Sequence, residues 1–131
     1  MKEINVRTSS QVEMIDITAA VQEAVKKEDV QDGYCIVFTT HTTAAVTINE
    51  NADPDVPRDI ISALEKVVPQ NASYRHAEGN SPAHVKSSLV GVSEIVLIEN
   101  GRLVLGTWQS VFFCEFDGPR TRKVVVKVIK S

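Results

Sequence analysis

The chain has 131 residues, 43% hydrophobic and 24% charged, and its 14 Lys and Arg against 17 Asp and Glu give a formal charge of −3. Such proportions exclude an intrinsically disordered chain and give no basic excess for nucleic-acid binding. No run approaches the 18 or so apolar residues of a membrane-spanning helix. With no apolar leader or transit composition after Met1, the expectation is one domain over residues 1–131, located in the cytoplasm.

Ile4-Asn5-Val6-Arg7 and Val12-Glu13-Met14-Ile15 alternate apolar and polar residues as half-buried strands do, and Thr8-Ser9-Ser10 between them predicts an opening hairpin. Asp16 or Thr18 can cap a helix that carries Ile17, Ala20, Val21, Ala24 and Val25 at helical spacing, with Lys26 and Lys27 in its last turn. From Tyr34 to about Ile48 the composition predicts one long strand. Period 2 puts Cys35, Val37, Thr39, His41, Thr43, Ala45 and Thr47 on one face and Ile36, Phe38, Val46 and Ile48 on the other. Cys35 and Cys114 lack metal or redox spacing and are expected to pack in the core.

After a polar run from Asn49, Asp55 can cap a second helix with an apolar stripe of Val56, Ile60, Leu64 and Val67, ending near Pro69. Ser81-Pro82 opens a short third helix and Gly91 stops it. Asn100-Gly101 predicts a hairpin between Glu94 to Ile98 and Arg102 to Leu105. Asp117-Gly118 predicts a second between Val111 to Phe116 and Lys123 to Ile129, so the last third reads as an antiparallel meander. The class is α+β, with antiparallel sandwich-like sheets and two to three helices.

The three histidines, His41, His76 and His84, are the leading chemical signal, because neutral imidazoles bind zinc and related metals and three of them leave a fourth position open. His41 sits among Thr39, Thr40, Thr42 and Thr43, while His76 and His84 flank a stretch containing Glu78 and Asn80. Glu50 and Asp53, in the polar run with Asn51, are candidates for proton transfer or for orienting a ligating imidazole. Lys86, Ser87 and Ser88 near the third helix's beginning could receive a phosphate or carboxylate. Thr107, Trp108 and Gln109 could wall a pocket and orient a polar ligand. Arg75, Arg120 and Arg122 read as surface residues that could add charge if the fold gathers them, and Glu115 reads as exposed or facing another subunit.

Taken together, His41-Thr42-Thr43-Ala44-Ala45-Val46-Thr47-Ile48-Asn49-Glu50-Asn51-Ala52-Asp53-Pro54, His76-Ala77-Glu78-Gly79-Asn80, Ala83-His84-Val85-Lys86-Ser87-Ser88 and Gly106-Thr107-Trp108-Gln109 resemble the YjbQ-like family, also described as secondary thiamine-phosphate synthases. The resemblance covers essentially the whole chain. It implies a homotrimer of α+β subunits with the histidines near a subunit boundary. It also implies a reaction joining a hydroxymethylpyrimidine pyrophosphate to a thiazole phosphate. His41, His76 and His84 would be metal ligands, Glu50, Asp53 and His84 catalytic, and Asn51, Glu78, Asn80, Lys86, Ser87, Ser88, Thr107, Trp108 and Gln109 substrate contacts. The expected cofactor is a divalent metal, zinc from the imidazole donors or Mg²⁺ from pyrophosphate chemistry. A metal-dependent hydrolase and a non-catalytic trimer binding a phosphorylated small molecule or metal are the alternatives.

Overall fold

The computed structural model describes residues 1–131. In chain order the elements are β1 (Lys2–Arg7), β2 (Glu13–Asp16), α1 (Thr18–Lys27), β3 (Gly33–Phe38), β4 (Ala44–Glu50), α2 (Asp55–Val67), α3 (Ser81–Val90), β5 (Ser93–Glu99), β6 (Arg102–Leu103), β7 (Gln109–Glu115) and β8 (Thr121–Lys130). They form two antiparallel sheets, one five-stranded in the order β1-β8-β3-β5-β6 and one three-stranded in the order β2-β7-β4. This is the α+β class expected.

Local chemistry accounts for several elements. Asp16 Oδ1 accepts hydrogen bonds from the Thr18 N–H at 2.9 Å and the Thr18 hydroxyl at 2.6 Å in the turn that leads into α1, while the capping position itself is Ile17, not Asp16 or Thr18, and makes no side-chain bond. Pro82 stands in the first turn of α3, and Gly91, at φ 100°, ends it. Asn100 and Gly101, at φ 53° and 74°, make the tight β5–β6 turn that two positive φ values allow.

Three expectations fail, for one reason. β1 and β2 are not a hairpin, Tyr34 to Ile48 is not one strand, and β7 and β8 do not pair. At each of these places the chain leaves one sheet and enters the other. Packed sheets lie roughly 10 Å apart, so a two-residue turn cannot span the gap, whereas the links 8–12, 39–43 and 116–120 can. The register places all three crossings at one end of the sandwich: Arg7 pairs with Thr121 and Phe38 with Val125, while Glu115 pairs with both Glu13 and Ala44.

The main core lies between the sheets and under α1, where Val21, Val25, Val37, Val46, Val111, Phe113, Val124 and Val126 are almost fully buried. The other face of the three-stranded sheet meets the α2–α3 side through Ala45, Cys114, Phe116 and Ala83. β7 is thus covered on both faces, which explains its unbroken burial from Val111 to Glu115. Both cysteines are buried and free, as expected. Burial pushes the Cys114 thiol up to about 12. The outer face of the five-stranded sheet is uncovered.

Candidate functional site

The three crossings are tied together by a buried ionic cluster. Arg122 and Glu115, at 2% and 0% exposure, form a salt bridge through Arg122 Nη2 and Glu115 Oε2, and Arg122 Nε adds bonds of 2.9 and 3.1 Å to the same carboxylate. Glu115 also accepts from the Thr8 hydroxyl at 2.8 Å and the Asp117 N–H at 3.0 Å, while Arg122 Nη2 donates to the Thr43 hydroxyl at 2.9 Å. Each crossing therefore contributes to one network. Desolvation alone would raise the Glu115 carboxyl, but the hydrogen bonds from Arg122, Asp117 and Thr8 outweigh it and hold the group below the usual glutamate range. The expectation that Glu115 is exposed or faces a partner is corrected, as is a surface role for Arg122. The signal was present in period 2, which places Arg122 in phase with buried Val124 and Val126.

Above this cluster opens a cleft of about 420 Å³ lined by His41, Thr42, Thr43, Glu78, Asn80, His84, Asp117, Arg120 and Arg122, none of them hydrophobic. A second cavity of about 510 Å³ shares His41, Thr42 and His84 and extends to Phe38, Ser87, Ser88 and Val92. His41 lies in the β3–β4 crossing rather than on a strand. Its Nε2 accepts the Lys123 backbone N–H at 3.0 Å, and desolvation, reinforced by the charge of Arg122, lowers its pKa. The ring is therefore neutral with its proton on Nδ1. His84, in the first turn of α3, meets His76 edge to face with ring centroids 5.1 Å apart, and His76 Nε2 lies 3.9 Å from Glu78 Oε2. Asp117 Oδ2 accepts from Asn80 Nδ2 at 3.0 Å and from Arg120 Nη2 at 3.1 Å.

The structure thus gathers His41, His84, His76, Glu78 and Asn80 at the crossover end of the sandwich. Other candidates are placed elsewhere. Glu50, Asn51 and Asp53 stand at the far end of the seven-residue β4, roughly 20 Å along the strand from Ala44. There Glu50 pairs with Gln109, the Asn51 N–H donates to the Trp108 carbonyl at 3.2 Å, and Asn51 Nδ2 donates to Asp16 Oδ2 at 2.7 Å. Asp53 Oδ1 accepts from the Asp55 N–H at 2.9 Å, so it supports the start of α2, the role expected of Asp55. Within one chain these carboxylates cannot act as bases for the histidines. Thr107, Trp108 and Gln109 are exposed at the same far end.

Lys86 and Ser87 are buried and bonded within the fold. Lys86 is 2% exposed and donates to Glu65 Oε1 at 2.7 Å, and the Ser87 hydroxyl donates to the Ala44 carbonyl at 2.6 Å. Only Ser88 of that trio is exposed. The donor set for a metal is not assembled in this chain: no group of three His, Cys, Asp or Glu side chains is arranged to hold an ion, and Nε2 of His41 is already an acceptor from the backbone. Sequence reasoning passed over Thr42 as a site residue and assigned Asp117 only to a turn.

Two packed antiparallel sheets, helices on one outer face and a wholly polar cleft where the chain changes sheets define a small α+β protein. The chain belongs to the UPF0047 YjbQ-like family, whose model matches residues 2–131. It is 48% identical over 130 residues to UPF0047 protein YugU of Bacillus subtilis, covering 98% of each chain. A UPF0047 protein of Methanocaldococcus jannaschii is 49% identical over 124 residues, covering 95% of this chain and 90% of its own. A crystal structure of an uncharacterized YjbQ/UPF0047 protein from Clostridium acetobutylicum superimposes with a TM-score of 0.96 at 56% identity, over 98% of this chain and all of the other. A YbjQ-like protein of Sulfolobus solfataricus, described as of unknown function, gives 0.95 at 32% identity over 99% and 96%.

These relatives correct the functional expectation. They carry a family name and no reaction, so kinship brings neither thiamine-phosphate synthesis nor a metal-dependent activity to this chain.

Proposed function

We propose that the cleft between the β3–β4 and β7–β8 crossings binds a small phosphorylated molecule. The observation that carries this reading is the all-polar lining of a cleft of about 420 Å³, in which Arg120 of the β7–β8 crossing, the His84 ring of α3, and the Nδ1–H of His41 with the Thr42 hydroxyl from the β3–β4 crossing are donors. A phosphate presents several acceptor oxygens to such donors, and Arg offers two N–H groups at once. Glu78 and Asp117 offset the charge of Arg120, which favours a ligand that carries donors of its own beside the phosphate.

Titration calorimetry with inorganic phosphate and a series of small alcohol phosphates tests this. Saturable binding is expected, weakened about tenfold by Arg120→Ala and by His84→Ala, in line with the loss of one charge-assisted hydrogen bond each. Absence of saturable heat for every compound in the folded wild type would sink the reading. Zinc is the competing occupant. Stoichiometric zinc retained after dialysis, and lost in His41→Ala, would reassign the imidazoles to a metal.

The same reading includes assembly into a homotrimer. Its support is the uncovered face of the five-stranded sheet, where Phe38, Ile95, Leu97 and Val104 are 38%, 62%, 60% and 47% exposed. Phe38 also lines the cavity shared with His41 and His84, so a subunit seated on that face would adjoin the cleft.

A further inference from the structure

Behind the wall of the cleft a cavity of about 50 Å³ lies between α2, α3 and the β7–β8 crossing, bounded among others by Asn80, Lys86, Glu65, Gln70, Phe116 and Asp117. Two of its polar groups are incompletely used. Lys86 carries three N–H donors and has one acceptor, Glu65 Oε1 at 2.7 Å, with the Phe116 ring centroid at 5.8 Å on another side. Asn80 Oδ1 is fully covered and has no hydrogen-bond partner, the only buried side-chain nitrogen or oxygen in the chain of which this is true. Its amide cannot be turned over to cure this, because Nδ2 donates to Asp117 Oδ2 at 3.0 Å and a flip would set the oxygen against a carboxylate.

A buried amide oxygen without a donor is costly, and a polar cavity of this size has room for at least one water, which needs two or more polar partners. We propose that the cavity holds an ordered water that accepts from Lys86 Nζ and donates to Asn80 Oδ1. The water makes Lys86 a positioning residue for Asn80. Lys86 then acts on the cleft from behind, through the side chain that Asn80 shares with Asp117, and never touches a ligand. This last step rests on the proposed phosphate site; the water does not.

A crystal structure of the wild type at about 1.5 Å decides the water directly. A density peak within about 2.6 to 3.2 Å of both Lys86 Nζ and Asn80 Oδ1 is expected; an empty cavity, or a direct bond between the two side chains, overturns the proposal. Positioning is read from the Asn80 side-chain amide in ¹⁵N NMR spectra. Lys86→Met should shift that resonance and weaken inorganic phosphate about fivefold, while Lys86→Gln, which keeps N–H donors, should restore both toward wild type. An unmoved Asn80 resonance in folded Lys86→Met refutes the link; if that variant does not fold, Lys86→Gln decides alone, a wild-type resonance counting for the bridge and a displaced one against it. If wild type binds no phosphate yet the water is present and the resonance responds, the phosphate reading fails and the bridge stands.

Discussion

Glu115 and Arg122 hold opposite charges at the point where three links change sheets, and removing one partner strands the other in the core. Arg122→Met is expected to lower stability by about 3 to 5 kcal/mol in urea unfolding, and Glu115→Gln combined with Arg122→Met to recover part of that loss, because no uncompensated charge remains. The pH dependence has a definite sign. Since the folded Glu115 carboxyl lies below its ordinary value, its contribution is complete above the usual glutamate range and disappears as pH falls through the lower folded value. His41 acts in the same direction one step higher. Its folded pKa is depressed, so below the ordinary histidine range the unfolded chain takes up a proton that the folded ring refuses, and stability falls. His41→Asn should flatten the stability profile between about pH 7 and 5, where histidine titrates; an unchanged profile would count against a neutral His41.

At the scale of elements, β4 separates two polar groups that are continuous in sequence. Its Ala44 end adjoins the histidine cleft and its Glu50 end adjoins Gln109. Glu50→Gln and Asp53→Ala should therefore leave phosphate affinity unchanged. Asp53→Ala should still cost about 1 kcal/mol, because the start of α2 loses its side-chain acceptor. A large loss of binding in Glu50→Gln would mean that the far end of β4 reaches a cleft after all, that of another subunit. Gly118, in the β7–β8 crossing, is a packing requirement. A Cβ there would lie 2.8 Å from Glu115 Cγ and 2.9 Å from the Thr8 hydroxyl, and closer still to the Ser10 carbonyl. Gly118→Ala is expected to destabilise by at least about 2 kcal/mol, read from the urea midpoint, because backbone from another crossing must move.

For the whole molecule, the asymmetry of cover matters most. Helices protect the outer side of the three-stranded sheet, while the five-stranded sheet turns Ile95, Leu97 and Val104 outward with nothing upon them. No helix is long and apolar enough to cross a membrane. Sedimentation equilibrium of the wild type should fit a trimer at micromolar concentration, and Ile95→Glu with Leu97→Lys should shift it toward monomer without loss of strand signal in circular dichroism. A monodisperse monomer in the wild type would remove the trimer from the proposal.

What the sequence determined by itself was local. Asp16 with Thr18, Pro82 with Gly91, and Asn100-Gly101 each specify a backbone conformation through neighbours a few residues away, and each element formed where its signal stood. The histidines were legible as a group because the chain has only three and each stands in a polar stretch. What only the tertiary structure decided was which strands share a sheet. Thr8-Ser9-Ser10, the Thr39 to Thr43 run and Asp117-Gly118 look like turns or strand from within; whether they fold back or cross depends on partners up to 112 residues away, such as Arg120, whose backbone carbonyl accepts from the Thr8 hydroxyl. That choice moved Glu50 and Asp53 away from the histidines and buried Glu115 against Arg122. Opposite charges seven residues apart carry no mark of being partners until two sheets close over them.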